Sequence, residues 1–165
     1  MSNLDRIKNR RSDLACREEV EIFIKNFYSD IAQDSLLSHV YNDVAHINWG
    51  VHVPKIIDFW CMNLFGEDRY QGHCMRAHRH VYEIFAFTHA HYRRWLELFH
   101  ENIDLGWTGP IAERTKKIAV NIAVVQSKAL IGTALDVTLM PKHKKYYDSS
   151  STLDVGSFYL EENGT

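Results

Sequence analysis

Tyr70-Gln71-Gly72-His73-Cys74-Met75-Arg76-Ala77-His78-Arg79-His80, followed by Tyr92-Arg93-Arg94-Trp95-Leu96-Glu97-Leu98-Phe99, decides the fold of this chain. The first stretch reads as a Gly-broken loop entering a short helix. On that helix Met75, His78, Arg79 and Tyr82 fall on one side, at helical spacing. The second reads as a strongly amphipathic helix with Tyr92, Trp95, Leu96, Phe99 and Ile103 on its inner face. A histidine on an inner face, beside a helix that carries an inward tryptophan, needs a reason.

Upstream, the pattern turns sharply helical from Arg17. Val20, Phe23, Ile24, Phe27, Tyr28 and Ile31 follow the amphipathic rhythm, so the Tyr28 hydroxyl points into the core and must find a partner there. A short helical turn with Leu36, Leu37 and Val40 follows, then Tyr41. A further helix starts near Asn48, a plausible cap, with Trp49, His52, Val53, Ile56, Phe59, Trp60 and Leu64 on one broad face. Pro54 either kinks its first turn or marks where regular helix begins, and Gly66 ends it.

Downstream, Thr88 is placed to cap the helix that ends near Gly106. Gly109-Pro110 opens the last helix, with proline where a helix start tolerates it. Ile111, Ile118, Ala119, Ile122, Ala123 and Val125 make a face rich in small residues, suited to close packing. Past Gly132 the pattern decays, and Val155 to Leu160 reads as a short strand or a segment packed on the body. The expectation is an all-α domain over 17–132, an N-terminal arm or extra helix over 1–16, and a C-terminal tail over 133–165.

With 165 residues, 45% apolar and 24% charged, the chain suffices for one soluble domain with a real core. A net charge of -2 gives no electrostatic case for nucleic acid or an anionic membrane. No apolar run approaches the length of a membrane span, and the charged N-terminus has no apolar stretch behind it. Cys16, Cys61 and Cys74 are odd in number and lack zinc-finger spacing, which fits a reduced, cytoplasmic protein.

Four polar groups thus sit on apolar helix faces: Tyr28, His52, His78 and the Trp95 indole. Singly, each is most simply a hydrogen-bonded core residue. Together, on four helices, they are economically explained by one polar object shared between them, since each buried group left unpaired costs about 1–3 kcal/mol. Haem fits that description. Its iron takes an axial imidazole, its apolar ring fills the space between short helices, and its open side calls for hydrogen-bond donors.

At this point the residues resemble the group III truncated haemoglobins. The likeness runs from about Val20 to Gly132 and rests on Phe27-Tyr28, Trp49-Gly50-Val51-His52-Val53-Pro54-Lys55 leading to Asp58-Phe59-Trp60, Tyr70-Gln71-Gly72 leading to Met75-Arg76-Ala77-His78, and Tyr92 to Phe99. The resemblance implies a truncated globin, a two-over-two helical sandwich around haem b (iron protoporphyrin IX). It implies His78 as the proximal ligand, with Tyr28 and Trp95 as distal donors. His52 takes a distal position, as a gate or a sixth iron ligand. The haem-pocket wall is expected to hold Tyr41, Ile56, Phe59, Leu64, Tyr70, Met75, Arg79 and Tyr92.

Two departures stand out. Tyr41 takes the place of a phenylalanine that stacks on the haem, and Cys74 takes that of a proline before the proximal helix.

The implied function is binding of a diatomic gas (O2, NO or CO), as a monomer or weak dimer, with oxygen transport as one outcome. The alternative is a haem enzyme of NO dioxygenase or peroxidase-like type, served by a reductase; the same donors suit both. A different class, a non-haem metal cluster of His73, Cys74, His78 and His80, lacks the regular spacing and distant second half of a structural zinc site. His39, His46, His89, His91, His100 and His143 are expected to be solvated.

Overall fold

The computed structural model describes residues 12–139. The parts of the arm and tail beyond those bounds, with the expected Val155 to Leu160 strand and His143, lie outside the described residues. The chain forms α1 (Arg17–Ile31), a π-helical turn (His39–Val44), α2 (Trp49–Phe65), α3 (Cys74–Ile84), α4 (His89–Gly106), α5 (Pro110–Ile131) and a short 3-10 turn (Val137–Leu139). Among the described residues the only extended pairing is an isolated bridge between Ser12 and Trp107, so the domain is all-α.

Each helix forms where its residues favour it. On α1 the buried positions are Val20, Phe23, Ile24, Phe27, Tyr28 and Ile31, and Glu18 and Glu19 occupy the first turn, where the helix dipole favours negative charge. Helix α2 starts at Trp49 and runs through Pro54, so proline marks neither its start nor a break. Its buried residues are Ile57, Trp60, Cys61 and Leu64, and Gly66 closes it in the left-handed conformation (φ 70°). Helix α4 begins after Thr88, whose backbone N–H donates to the His91 ring nitrogen Nδ1 at 3.0 Å; an imidazole here plays the part of the usual Glu of a capping box.

Helix α5 begins with a long-range cap. The Asp13 carboxylate accepts the N–H groups of Ile111 and Ala112 at 3.0 and 2.7 Å. Gly109 makes the approach possible. Its φ is 136°, and a Cβ there would meet the Asp13 carboxyl carbon at 2.6 Å.

Helix α1 packs on α2 and α4, and α4 packs on α5, so the α1–α2 pair lies over the α4–α5 pair. Phe99, fully buried, sits at the join. Its ring centroid lies 4.9 Å from Phe23, 5.1 Å from Phe27, 5.1 Å from Trp60 and 5.0 Å from Trp95. Ala112, Ala119 and Ala123 are buried on α5, where small side chains let it approach α4 closely. Helix α3 touches this body chiefly through α5, which leaves room along its inner side.

Candidate functional site

That room is a cavity of about 330 Å³. Among the described residues all five α-helices contribute to its wall: Tyr28 from α1, His52, Ile56 and Phe59 from α2, His78 from α3, Tyr92 and Trp95 from α4, and Ile122 from α5. Tyr41 of the π-helical turn and Tyr70 of the loop before α3 join them. Nine of the twelve residues singled out from the sequence therefore meet at one cavity.

Three do not line it. Leu64 and Met75 are buried in the body, at 8% and 6% exposure, and Arg79 is exposed. Arg79 follows His78 on a helix, at the edge of the inner face, and its guanidinium finds water more cheaply than an apolar wall.

Sequence reading missed Gln126 of α5, Phe87, Lys55 and His91, all of which line the cavity, as does Cys74, which was noted only as a departure before the proximal helix. Gln126 carried a readable signal: it is a polar residue one turn along from Ile122 and Ala123 on a small-residue face. His91 carried none beyond its spacing from Tyr92 and Trp95. His100 was also expected at the surface. It is fully buried, with Nε2 3.4 Å from the Lys116 carbonyl oxygen.

His78 is half-buried, and its Nδ1 lies 2.7 Å from the Cys74 carbonyl oxygen. A carbonyl only accepts, so Nδ1 carries a proton whatever the charge of the ring. Nε2 is then the nitrogen left for a ligand. Burial works against protonation of this ring, while the Cys74 sulfur and backbone outweigh it and raise the group to about 9.

Three wall residues, Tyr28, Tyr41 and His52, belong to an aromatic cluster that Trp49 completes from outside the lining. The Tyr28 ring lies 6.0 Å from Tyr41, 5.7 Å from Trp49 and 6.4 Å from His52. Trp49 stacks on Tyr41 at 5.9 Å, with an angle of 16° between the planes. Burial raises Tyr28 well above the usual phenol value, and Tyr41 adds to the shift, while a hydrogen bond from the Trp95 side chain opposes it. Burial raises Tyr41 too, and Trp95 again pulls the other way. Both phenols therefore stay protonated and able to donate. Burial, then His78, depresses His52, which leaves a neutral imidazole.

The wall is thus largely apolar and aromatic, with one imidazole nitrogen, His78 Nε2, that can take a metal once it gives up its proton, and a group of neutral donors. Its volume lies in the roughly 300–1,000 Å³ range of cofactor and ligand pockets. Among the described residues no group of three or more His, Cys, Asp or Glu is placed to hold a metal ion, so a protein-only cluster at His73, Cys74, His78 and His80 does not form.

Against known proteins, no family model matches the chain. It is 26% identical over 92 residues to the group 3 truncated hemoglobin ctb of Campylobacter jejuni, an alignment covering 54% of this chain and 70% of that protein. In three dimensions it matches the crystal structure of the group III truncated hemoglobin from Campylobacter jejuni with a TM-score of 0.65 and 23% identity, over 73% of this chain and 94% of that one. The chain has the fold of the truncated haemoglobins and is similar in sequence to a group III member. The truncated-globin fold accounts for the stacked pairs α1–α2 and α4–α5. It also accounts for the short helix set apart from them, whose inner side lines the cavity.

Proposed function

We propose that this chain binds haem b in the cavity, with His78 as the iron ligand, and that it binds a diatomic gas there. The observation that carries the reading is the commitment of His78 Nδ1 to the Cys74 carbonyl, which aims the chemistry of the ring at its other nitrogen. Carbonyl-held imidazoles are the usual form of a histidine metal ligand. Haem, when bound, would supply an iron that His78 would hold and that would take a gas such as O2, NO or CO.

The residues do the rest. Ile56, Phe59 and Ile122 offer an apolar bed that excludes water. Tyr28, Tyr41 and Trp95 supply neutral donors to a gas that accepts hydrogen bonds, and neutral His52 acts as a further donor or gate. The globin unit over 17–132 contains all of them.

The number of donors favours a second reading. Each slows release of a polar ligand, and slow release suits NO dioxygenase or peroxidase-like chemistry, with a reductase as partner, better than oxygen transport. Spontaneous O2 release and NO turnover separate the two: slow release with rapid turnover marks the enzyme.

The primary test is the absorption spectrum of the purified protein, with and without dithionite and CO. A Soret band that shifts on reduction and again on CO binding is expected. A protein that stays colourless after incubation with hemin overturns the reading.

A further inference from the structure

Gln126 is 3% exposed, and both ends of its amide are engaged. Its Oε1 accepts the Tyr92 hydroxyl at 3.4 Å. Its Nε2 donates to the Cys74 sulfur at 3.8 Å. The same sulfur lies 3.6 Å from His78 Nδ1. One line of contacts, Tyr92 to Gln126 to Cys74 to His78, therefore joins α4, α5 and α3 and ends on the imidazole.

A backbone carbonyl alone leaves the ring some freedom to turn about the bond that joins it to the chain. A second acceptor, off the first direction, restricts that freedom. Acceptors on one ring nitrogen also raise the basicity of the other and strengthen its bond to a metal. Sulfur is a weak acceptor, so its position matters more than its strength. The Gln126 amide fixes that position, and the Tyr92 hydroxyl fixes which way the amide faces.

On the haem reading above, we propose that Cys74 and Gln126 are positioning residues for the iron-binding imidazole: the Cys74 sulfur is a second acceptor for the His78 Nδ1–H, held in place by Gln126. The orientation and donor strength of His78 are then set by α5 as well as by the backbone of α3.

The test uses the haem-loaded full chain, with the iron–imidazole stretching frequency of the ferrous protein by resonance Raman and the rate of haem loss to an excess of a haem-scavenging apoprotein. Cys74→Ala and Gln126→Leu are each expected to lower the frequency and to speed haem loss about tenfold, the lower end of what outer-shell partners supply to a metal site. Cys74→Ser, which keeps an acceptor, is expected to stay near the parent. The double variant Cys74→Ala, Gln126→Leu is expected to shift no further than either single one, because the two act in series.

Tyr92→Phe removes only the hydroxyl that orients the amide, and it is expected to shift the frequency less but in the same direction. It carries the test if Gln126→Leu does not fold. An unchanged frequency in both Cys74→Ala and Tyr92→Phe overturns the proposal, as do effects that simply add. If the parent protein takes up no haem, the functional reading falls first; if it does and these signals stay put, only the positioning role falls.

Discussion

His78 Nδ1 lies 2.7 Å from the carbonyl oxygen of Cys74, one helical turn earlier. That relationship leaves Nε2 as the nitrogen for a metal. His78→Leu is expected to abolish the ligation signature of the loaded protein: the Soret band of the purified variant is lost or strongly reduced. A band of undiminished intensity, with unaltered axial ligation, would move the iron ligand elsewhere. Far-ultraviolet circular dichroism of the variant confirms that the helices persist.

Trp95 lines the cavity together with the two phenols Tyr28 and Tyr41, and it opposes the rise that burial imposes on each. A donor aimed at a charged acceptor contributes about 1.5–3 kcal/mol, or roughly ten- to a hundredfold in ligand release. Trp95→Phe and Tyr28→Phe are each expected to speed O2 dissociation by about that factor, read by stopped-flow displacement with CO. Unchanged rates in both variants remove these groups from the gas site.

His52 is held neutral by burial and sits 6.4 Å, ring to ring, from both Tyr28 and Trp49. Packed against these rings, it is expected to leave the iron open, giving a high-spin ferric spectrum at neutral pH. A low-spin, bis-histidyl spectrum that vanishes in His52→Ala would instead make His52 the sixth ligand.

Asp34, 8% exposed, holds the turn that carries Tyr41. One carboxylate oxygen accepts the N–H groups of Leu36 and Leu37, both at 3.0 Å, and the other accepts from Arg94 Nε at 2.7 Å. Burial pushes this carboxyl up, but Arg94 and the two amides outweigh it and hold it below its ordinary value. A depressed folded value means the carboxylate stabilises the fold fully above the unfolded value, near about 4. That contribution is lost as pH falls through the folded value. Asp34→Asn is therefore expected to cost about 1–2 kcal/mol at pH 7 by urea denaturation, and the gap to the parent should narrow steadily as pH is lowered below about 4. An equal gap at both ends of that range would show that the carboxylate charge plays no part.

Local order was legible because it is written within a few residues. The three-four spacing of Val20 to Ile31 predicts α1, Gly66 predicts where α2 stops, and Thr88 and Gly109-Pro110 predict the starts of α4 and α5. The same spacing put Tyr28, His52, His78 and Trp95 on inner faces, and those four residues meet at the cavity. Spacing failed for Arg79, which stands at the edge of its helical face, where side-chain length and hydration decide whether a residue turns in or out. It failed for His91 as well, whose place at the start of α4 is set by its bond to the Thr88 backbone.

By itself the sequence determined which segments are helical, which side of each is apolar, and which polar groups that apolar side must take inward. The tertiary structure alone decided which of those groups touch. Asp13 caps a helix far along the chain, Arg94 reaches Asp34, and Gln126 reaches Cys74 and Tyr92. Periodicity repeats along one helix and carries no record of its neighbour. A hydrogen bond between helices needs two atoms brought within a few ångströms, and that distance exists only once the helices have packed.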